Sequence, residues 1–190
     1  MIIHKHKCIY IHIPKCGGWS VESAFLDEEG IKRDTKESFD LFHIGGDEDK
    51  EGKYTHMMLS DYYIHKDGSD LFGYETFALI REPVSRAISY YNWIGHTKHS
   101  SFLGFCKSLP AQDPWSYMMT RPQVDYVRDK SGCIAVDHII KLGDHEESFE
   151  RFNIKIPHQN KSKPRKVNID DQATDILNEY YKEDFKLWGQ

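Results

Sequence analysis

The stretch Cys8-Ile9-Tyr10-Ile11-His12-Ile13-Pro14-Lys15-Cys16-Gly17-Gly18-Trp19-Ser20 runs from an almost unbroken apolar segment into a turn built from Pro, Lys and two glycines. Such a segment, rich in β-branched and aromatic residues, predicts a strand buried on both faces, as in a parallel sheet. Beyond the turn, Val21, Ala24 and Phe25 recur at helical spacing, with Ser20 as the expected cap and Gly30 as the stop. Strand, glycine turn and helix in that order gather backbone N–H groups and a helix N-terminus around one point, which suits an anion. Lys15 adds a cation there, Gly17 and Gly18 let the backbone approach closely, and Ser20 offers a hydroxyl. This is not the Walker loop, in which Lys follows the last Gly and a Ser or Thr serves magnesium. By itself a Lys-x-Gly-Gly turn fits a purely structural role equally well.

A second strand-to-helix unit supplies what the first lacks. Thr76-Phe77-Ala78-Leu79-Ile80 reads as another buried strand and runs into Arg81-Glu82-Pro83, where Pro suits a first helical turn. Val84, Ala87, Ile88 and Tyr91 then form an apolar stripe. Arg81 at the strand end and Ser89 two turns into the helix are placed to grip one phosphate. A third apolar run, Ile134 to Ile140, is expected to complete the sheet. Repeated strand-loop-helix order predicts an α/β, P-loop-like three-layer fold: a short parallel sheet flanked by helices, with ligands at the carboxyl ends of the strands.

The two motifs together resemble the PAPS-dependent sulfotransferases (donor 3′-phosphoadenosine 5′-phosphosulfate), specifically the branch of the Golgi carbohydrate sulfotransferases and their small bacterial relatives. The resemblance implies that Lys15, Cys16, Gly17, Gly18, Trp19 and Ser20 form the loop for the 5′-phosphosulfate, and that Arg81 and Ser89 bind the 3′-phosphate. It extends to Gln123, expected to precede a strand, and to Ile156-Pro157-His158-Gln159-Asn160-Lys161-Ser162, which is similar to a family segment and implies donor contacts from Lys161 and Ser162. Lys161, Lys163, Arg165 and Lys166 suit a basic lid over the nucleotide, or simply a solvated charge run. The sequence departs from the family pattern at Trp19, where a small hydroxyl residue is common, and at Glu82, where Asn is usual. Gly143-Asp144-His145 also replaces a stretch that more typically contains Glu.

Sulfuryl transfer is an in-line displacement in which a protein mainly positions the partners and stabilises charge on the leaving group. Lys15 is the expected leaving-group cation. A base for the acceptor hydroxyl is best served by histidine. His56, in Thr55-His56-Met57-Met58, is the first candidate, because relatives carry a His in the corresponding segment; Glu22, just beyond the loop, is the second. His96, His99 and His158 rank lower. Trp93, Trp115, Tyr117 and Tyr126 lie on the expected acceptor side, where aromatic faces suit sugar rings but are equally at home in a core. The resemblance favours a carbohydrate acceptor and implies that no metal is required.

The remaining sequence bounds these readings. At 190 residues, one domain spanning 1–190 is expected, with 31–73 and 93–130 as irregular acceptor-side excursions. Within 93–130, short helices joined by turns are the expected content. A formal charge of -5 argues against nucleic acid as the partner. Four dispersed cysteines, Cys8, Cys16, Cys106 and Cys133, show neither zinc nor disulfide spacing. No apolar run has signal-peptide or membrane-spanning length, which gives a cytoplasmic location as the default. His4, His6 and His12 read as ordinary strand residues, and Ala173, Ile176, Leu177, Tyr180 and Tyr181 mark an amphipathic helix started by Asp170 or Asp171. Two other functions fit the same pattern: a non-catalytic nucleotide- or sugar-binding module of this fold, and a P-loop kinase. The kinase would need a Walker Lys-Ser/Thr pair and a metal-binding acid after a strand, and Asp137 is a poor candidate for the latter. The sequence leaves the oligomeric state open.

Overall fold

The computed structural model describes residues 1–38, 56–62, 71, 73–144, 149 and 167–190, with only the backbone for 94–96. Its centre is a four-stranded sheet in the order β1-β2-β3-β4. β2 (Cys8–Ile11) and β3 (Glu75–Ile80) are parallel, as are β3 and β4 (His138–Lys141). β1 (Ile2–Ile3) adds an antiparallel edge, folded onto β2 through a 3-10 turn over His4–His6. All four residues of β2 are buried, which is what its unbroken apolar run demands of an inner strand.

α1 (Gly18–Glu29) follows β2, and α3 (Pro83–Tyr90) follows β3, extended by a π-helical stretch over Tyr91–Gly95 and a last turn over His96–Lys98. Between them lies the short α2 (Leu59–Tyr62). α4 (Phe102–Lys107), α5 (Pro114–Thr120) and α6 (Val124–Val127) are the short helices expected between 93 and 130. The chain closes with α7 (Asp171–Tyr180), capped by the Asp170 carboxylate on the Ala173 amide at 2.8 Å, and α8 (Lys182–Trp188). The result is α/β with a mostly parallel sheet flanked by helices.

Apolar burial divides into two clusters. One joins Ile9, Ile11, Phe77 and Leu79 of the sheet to Val21 and Phe25 of α1 and Leu187 of α8. The other joins Ala87 and Tyr90 of α3 to Phe102 and Phe105 of α4 and Leu177 of α7. Because each helix after a strand buries its stripe against these clusters, the β2–α1 and β3–α3 turns are held rigidly side by side.

Three expectations are corrected. The third strand begins at His138 rather than Ile134, which is 42% exposed and makes only an isolated bridge with Arg128. The cause is Asp137, whose carboxylate accepts from the Thr76 amide and hydroxyl, each at 2.7 Å, while its own amide donates to Thr76 Oγ at 2.9 Å. That side-chain clasp replaces ladder pairing where the strand starts. Gly17, at φ 83, and not Ser20, caps α1, since the helix begins at Gly18; Gly30, at φ 67, ends it as expected. Gln123 precedes the helix α6 rather than a strand. The segment 39–55, most of 63–72 and the basic run 161–166, with Lys161 and Ser162, lie outside the described residues. Among the described residues no helix is long and apolar enough to cross a membrane, and no disulfide joins the four cysteines.

Candidate active site

The turn between β2 and α1 is strained where it carries charge. Lys15 sits at φ 67, a left-handed conformation that costs a non-glycine residue about 1–3 kcal/mol and persists only where surroundings enforce it. The surroundings here are hydrogen bonds from three directions. Arg86 of α3, fully buried, donates from Nε to Pro14 O at 3.0 Å and from its two other nitrogens to Arg121 O at 2.9 Å and Met119 O at 3.2 Å. The Cys16 thiol donates to Gln123 Oε1 at 3.1 Å, and the same oxygen accepts from the Arg81 amide at 2.9 Å. Gln123 Nε2 returns a bond to Arg81 O at 2.8 Å, and Arg81 Nη1 donates to Lys15 O at 3.4 Å. Asp184 of α8 anchors the arrangement by accepting from the Gln123 and Val124 amides at 2.8 and 2.9 Å.

Two cations therefore share one corner. Partial burial, then the neighbouring Arg81 charge, bring the Lys15 ammonium down to about 8. Its Nζ lies 4.5 Å from the centroid of the Trp93 ring, a cation–π contact on a side chain that is 49% exposed. The first turn of α1 has no side-chain cap, so the amides of Gly18 and Trp19 join Lys15 at the same end of the helix. Lys15, Arg81 and the loop backbone together have the chemistry of a polyanion site. Cys16 points the other way: burial lifts its thiol to about 11, so it stays protonated and donates to Gln123. Ser89 stands two turns along α3 from Arg81, partly buried. Glu82, the departure from the family pattern, caps α3 by accepting from Val84 N at 2.9 Å and Ser85 N at 2.7 Å.

The two proposed bases meet at a residue that sequence reasoning passed over. His12 Nδ1 lies 2.6 Å from Glu22 Oε1, and Arg33 Nη1 lies 3.0 Å from the other oxygen of that carboxylate. Burial alone would raise the Glu22 carboxyl, but His12 and Arg33 outweigh it and hold it at about 2. So ionised and doubly engaged, Glu22 is a weak base. His56 Nδ1 bonds His12 O at 2.9 Å, and its ring meets the His12 ring edge-on at 4.4 Å. A carbonyl only accepts, so Nδ1 carries the ring proton and Nε2 keeps its lone pair. Burial, then the nearby His12, bring His56 down to about 3, and the ring is neutral at pH 7.

Trp19 is 45% exposed, with the Arg33 guanidinium 3.8 Å from its ring centroid. Two cavities of about 500 Å³ open on the described surface. One is bordered by Trp19, Ser23, Gly30 and Arg33, the other by Tyr90, Lys98, His99, Phe105 and Ser116. Tyr126, one of the expected acceptor-side aromatics, is fully buried and donates its hydroxyl to Met118 O, which makes it a core residue; Trp115 remains 46% exposed. Among the described residues no group of three or more His, Cys, Asp or Glu is arranged to hold a metal ion.

Arg86, Gln123 and His12 make the contacts around these turns that sequence reading missed. Arg86 had a signal: it shares its helix face with Pro83 and Tyr90, an apolar setting for a cation. Gln123 had none that local pattern reveals. No curated protein and no solved structure matches the chain. A family model, described as the sulfotransferase family, matches residues 1–123, which include β1 to β3, the Lys15 turn and the Arg81 turn. With that match covering most of its length, the chain belongs to the sulfotransferase family.

Proposed function

We propose that the protein transfers a sulfuryl group from PAPS to a hydroxyl of a carbohydrate. The observation that carries this reading is the hydrogen-bonded union of the Lys15 turn with the Arg81 turn, which sets two cations beside one helix N-terminus. A donor bearing phosphate at both its 3′ and 5′ ends has the charge distribution to use both. The residues present fit it: Lys15, Gly17, Gly18 and Ser20 for the phosphosulfate, Arg81 and Ser89 for the 3′-phosphate.

PAPS supplies an activated sulfuryl group whose S–O bond to phosphate breaks as the bond to the acceptor oxygen forms. Lys15 then stabilises the negative charge on the departing phosphate oxygen. His56 takes the acceptor proton on Nε2, and its basicity, lowered by burial, would rise beside the anionic charge of a bound donor. Glu22 holds His12 rather than acting as the base. Region 93–130 forms the acceptor side, where the exposed faces of Trp93 and Trp115 suit sugar rings. Asp137, spent on Thr76, leaves the kinase reading without its acidic residue.

Calorimetric titration with 3′-phosphoadenosine 5′-phosphate, ADP and AMP tests the donor assignment. Tight binding of the bisphosphate, weak binding of ADP and AMP, and loss of the preference in Arg81→Ala are expected. Equal affinity for all three nucleotides would refute it, and nucleotide binding without turnover across an acceptor panel would point to the non-catalytic module.

A further inference from the structure

We propose that His12 is a positioning residue that couples the base to the phosphate loop; this rests on the reading of His56 as the base. Three separate contacts converge on this one residue at the end of β2. Its carbonyl oxygen accepts from His56 Nδ1 at 2.9 Å, which fixes the tautomer whose Nε2 is free to take a proton. Its own Nδ1 lies 2.6 Å from Glu22 Oε1. The nitrogen and the carboxylate are not aligned as a hydrogen bond, so the contact is one of close approach between the ring and an ionised carboxylate. Its Nε2 edge lies directly beneath the loop: a Cβ on Gly18 would stand 1.8 Å from that nitrogen. No side chain fits at position 18 while the imidazole holds its place.

The ring is immobilised on its remaining sides, stacked on Tyr10 at 5.5 Å and 21° and edge-on to His56 at 4.4 Å. Glu22 stands on α1, the helix whose first turn carries the loop, and is held in turn by Arg33. The close His12–Glu22 contact thus ties β2 to α1 across the loop that joins them. Displacing the imidazole moves the seat of Gly18 and the carbonyl that orients His56 together. A pair of buried ionisable groups used only for stability is replaceable by apolar packing at little cost. Here the residue that carries the pair also presents the backbone carbonyl that directs the His56 proton, so the pair holds that carbonyl in place. His12 transfers no proton itself.

The test uses the full chain, 3′-phosphoadenosine 5′-phosphate as the probe and nitrogen-15 NMR of labelled histidines. His12→Phe keeps an aromatic ring and loses the nitrogen that faces Glu22. It should weaken nucleotide binding at least fivefold and turn the single Nδ1–H tautomer of His56 into a mixture. Glu22→Gln, which keeps the shape of the carboxylate, is read by the same two criteria should His12→Phe fail to fold. A variant that melts lower yet keeps both nucleotide affinity and the His56 tautomer overturns the proposal and leaves His12 a core residue. A change in one measurement without the other also overturns it, because the coupling is then absent. The base reading is judged separately, by breakdown of PAPS in His56→Ala: an unchanged rate removes that reading and the proposal with it, whatever His12→Phe shows.

Discussion

Replacing Arg86 with methionine should damage the protein more than any surface change. The side chain is 2% exposed and donates to three carbonyls, at Pro14, Met119 and Arg121, which belong to three different segments. Each such charge-assisted bond contributes about 1.5–3 kcal/mol, and methionine of similar volume leaves all three acceptors without a donor. It also leaves the buried Asp184 carboxylate without the nearest guanidinium charge that offsets its burial. Breaking one side of a buried ionic arrangement costs about 3–5 kcal/mol, a large part of the ~5–15 kcal/mol that holds a domain folded. In a chain of this size that corresponds to a fall in melting temperature of roughly 6–20 °C. Urea and thermal unfolding followed by circular dichroism measure it, and nucleotide titration well below the midpoint shows whether the Lys15 turn has lost its support at Pro14. Arg86→Lys, with one ammonium in place of the fork, should fall between the two. A change below about 1 kcal/mol with unaltered nucleotide affinity would refute the reasoning, because it would mean that the three carbonyls find other donors at no cost.

Gly18→Ala places a methyl group 1.8 Å from the His12 ring, so it should cost about 1–3 kcal/mol of stability and sharply weaken nucleotide binding, read by calorimetry. Lys15 is charged below its lowered value of about 8 and neutral above it; kcat/KM should therefore fall as pH rises through about 8, and Lys15→Arg should flatten that alkaline limb in a pH–rate profile. Glu22 is held at about 2 against an ordinary 4.5, so its stabilising contribution is present above pH 4.5 and lost as pH falls toward 2. Glu22→Gln should make denaturant-measured stability less dependent on pH across that window; an unchanged slope would show that the His12 and Arg33 contacts do not set it.

The parts of the fold that were legible are those in which a local pattern and the tertiary structure ask for the same thing. Cys8 to Ile11 reads as an inner strand because it is uncharged and dominated by apolar surface, and Lys15 and Arg81 were found because each follows such a strand. Ile134 to Asp137 misled because an apolar run does not say whether its amides enter a ladder; the carboxylate of Asp137 took that role instead. His12 was passed over because a histidine in a strand is common, and its importance depends on Glu22, ten residues later, and on His56, whose approach no periodicity encodes. Arg86 and Gln123 act on backbone groups far away in sequence, so spacing, which at most marks Arg86 as buried, does not name their partners. Glu82 was legible only as a departure, and the two amides it caps explain it.

Gln123 has one further consequence. Its single carboxamide oxygen serves both the Cys16 thiol and the Arg81 amide, so two turns 66 positions apart in sequence, at Lys15 and Arg81, hang from the same peg. A peg of this kind makes the site a fixed gauge: the separation of its two cationic corners is a property of the scaffold, and the guest must match it. Selectivity then lies in the spacing of charges along a ligand more than in their number, and a Gln123→Ala protein should accept anionic ligands of the wrong length.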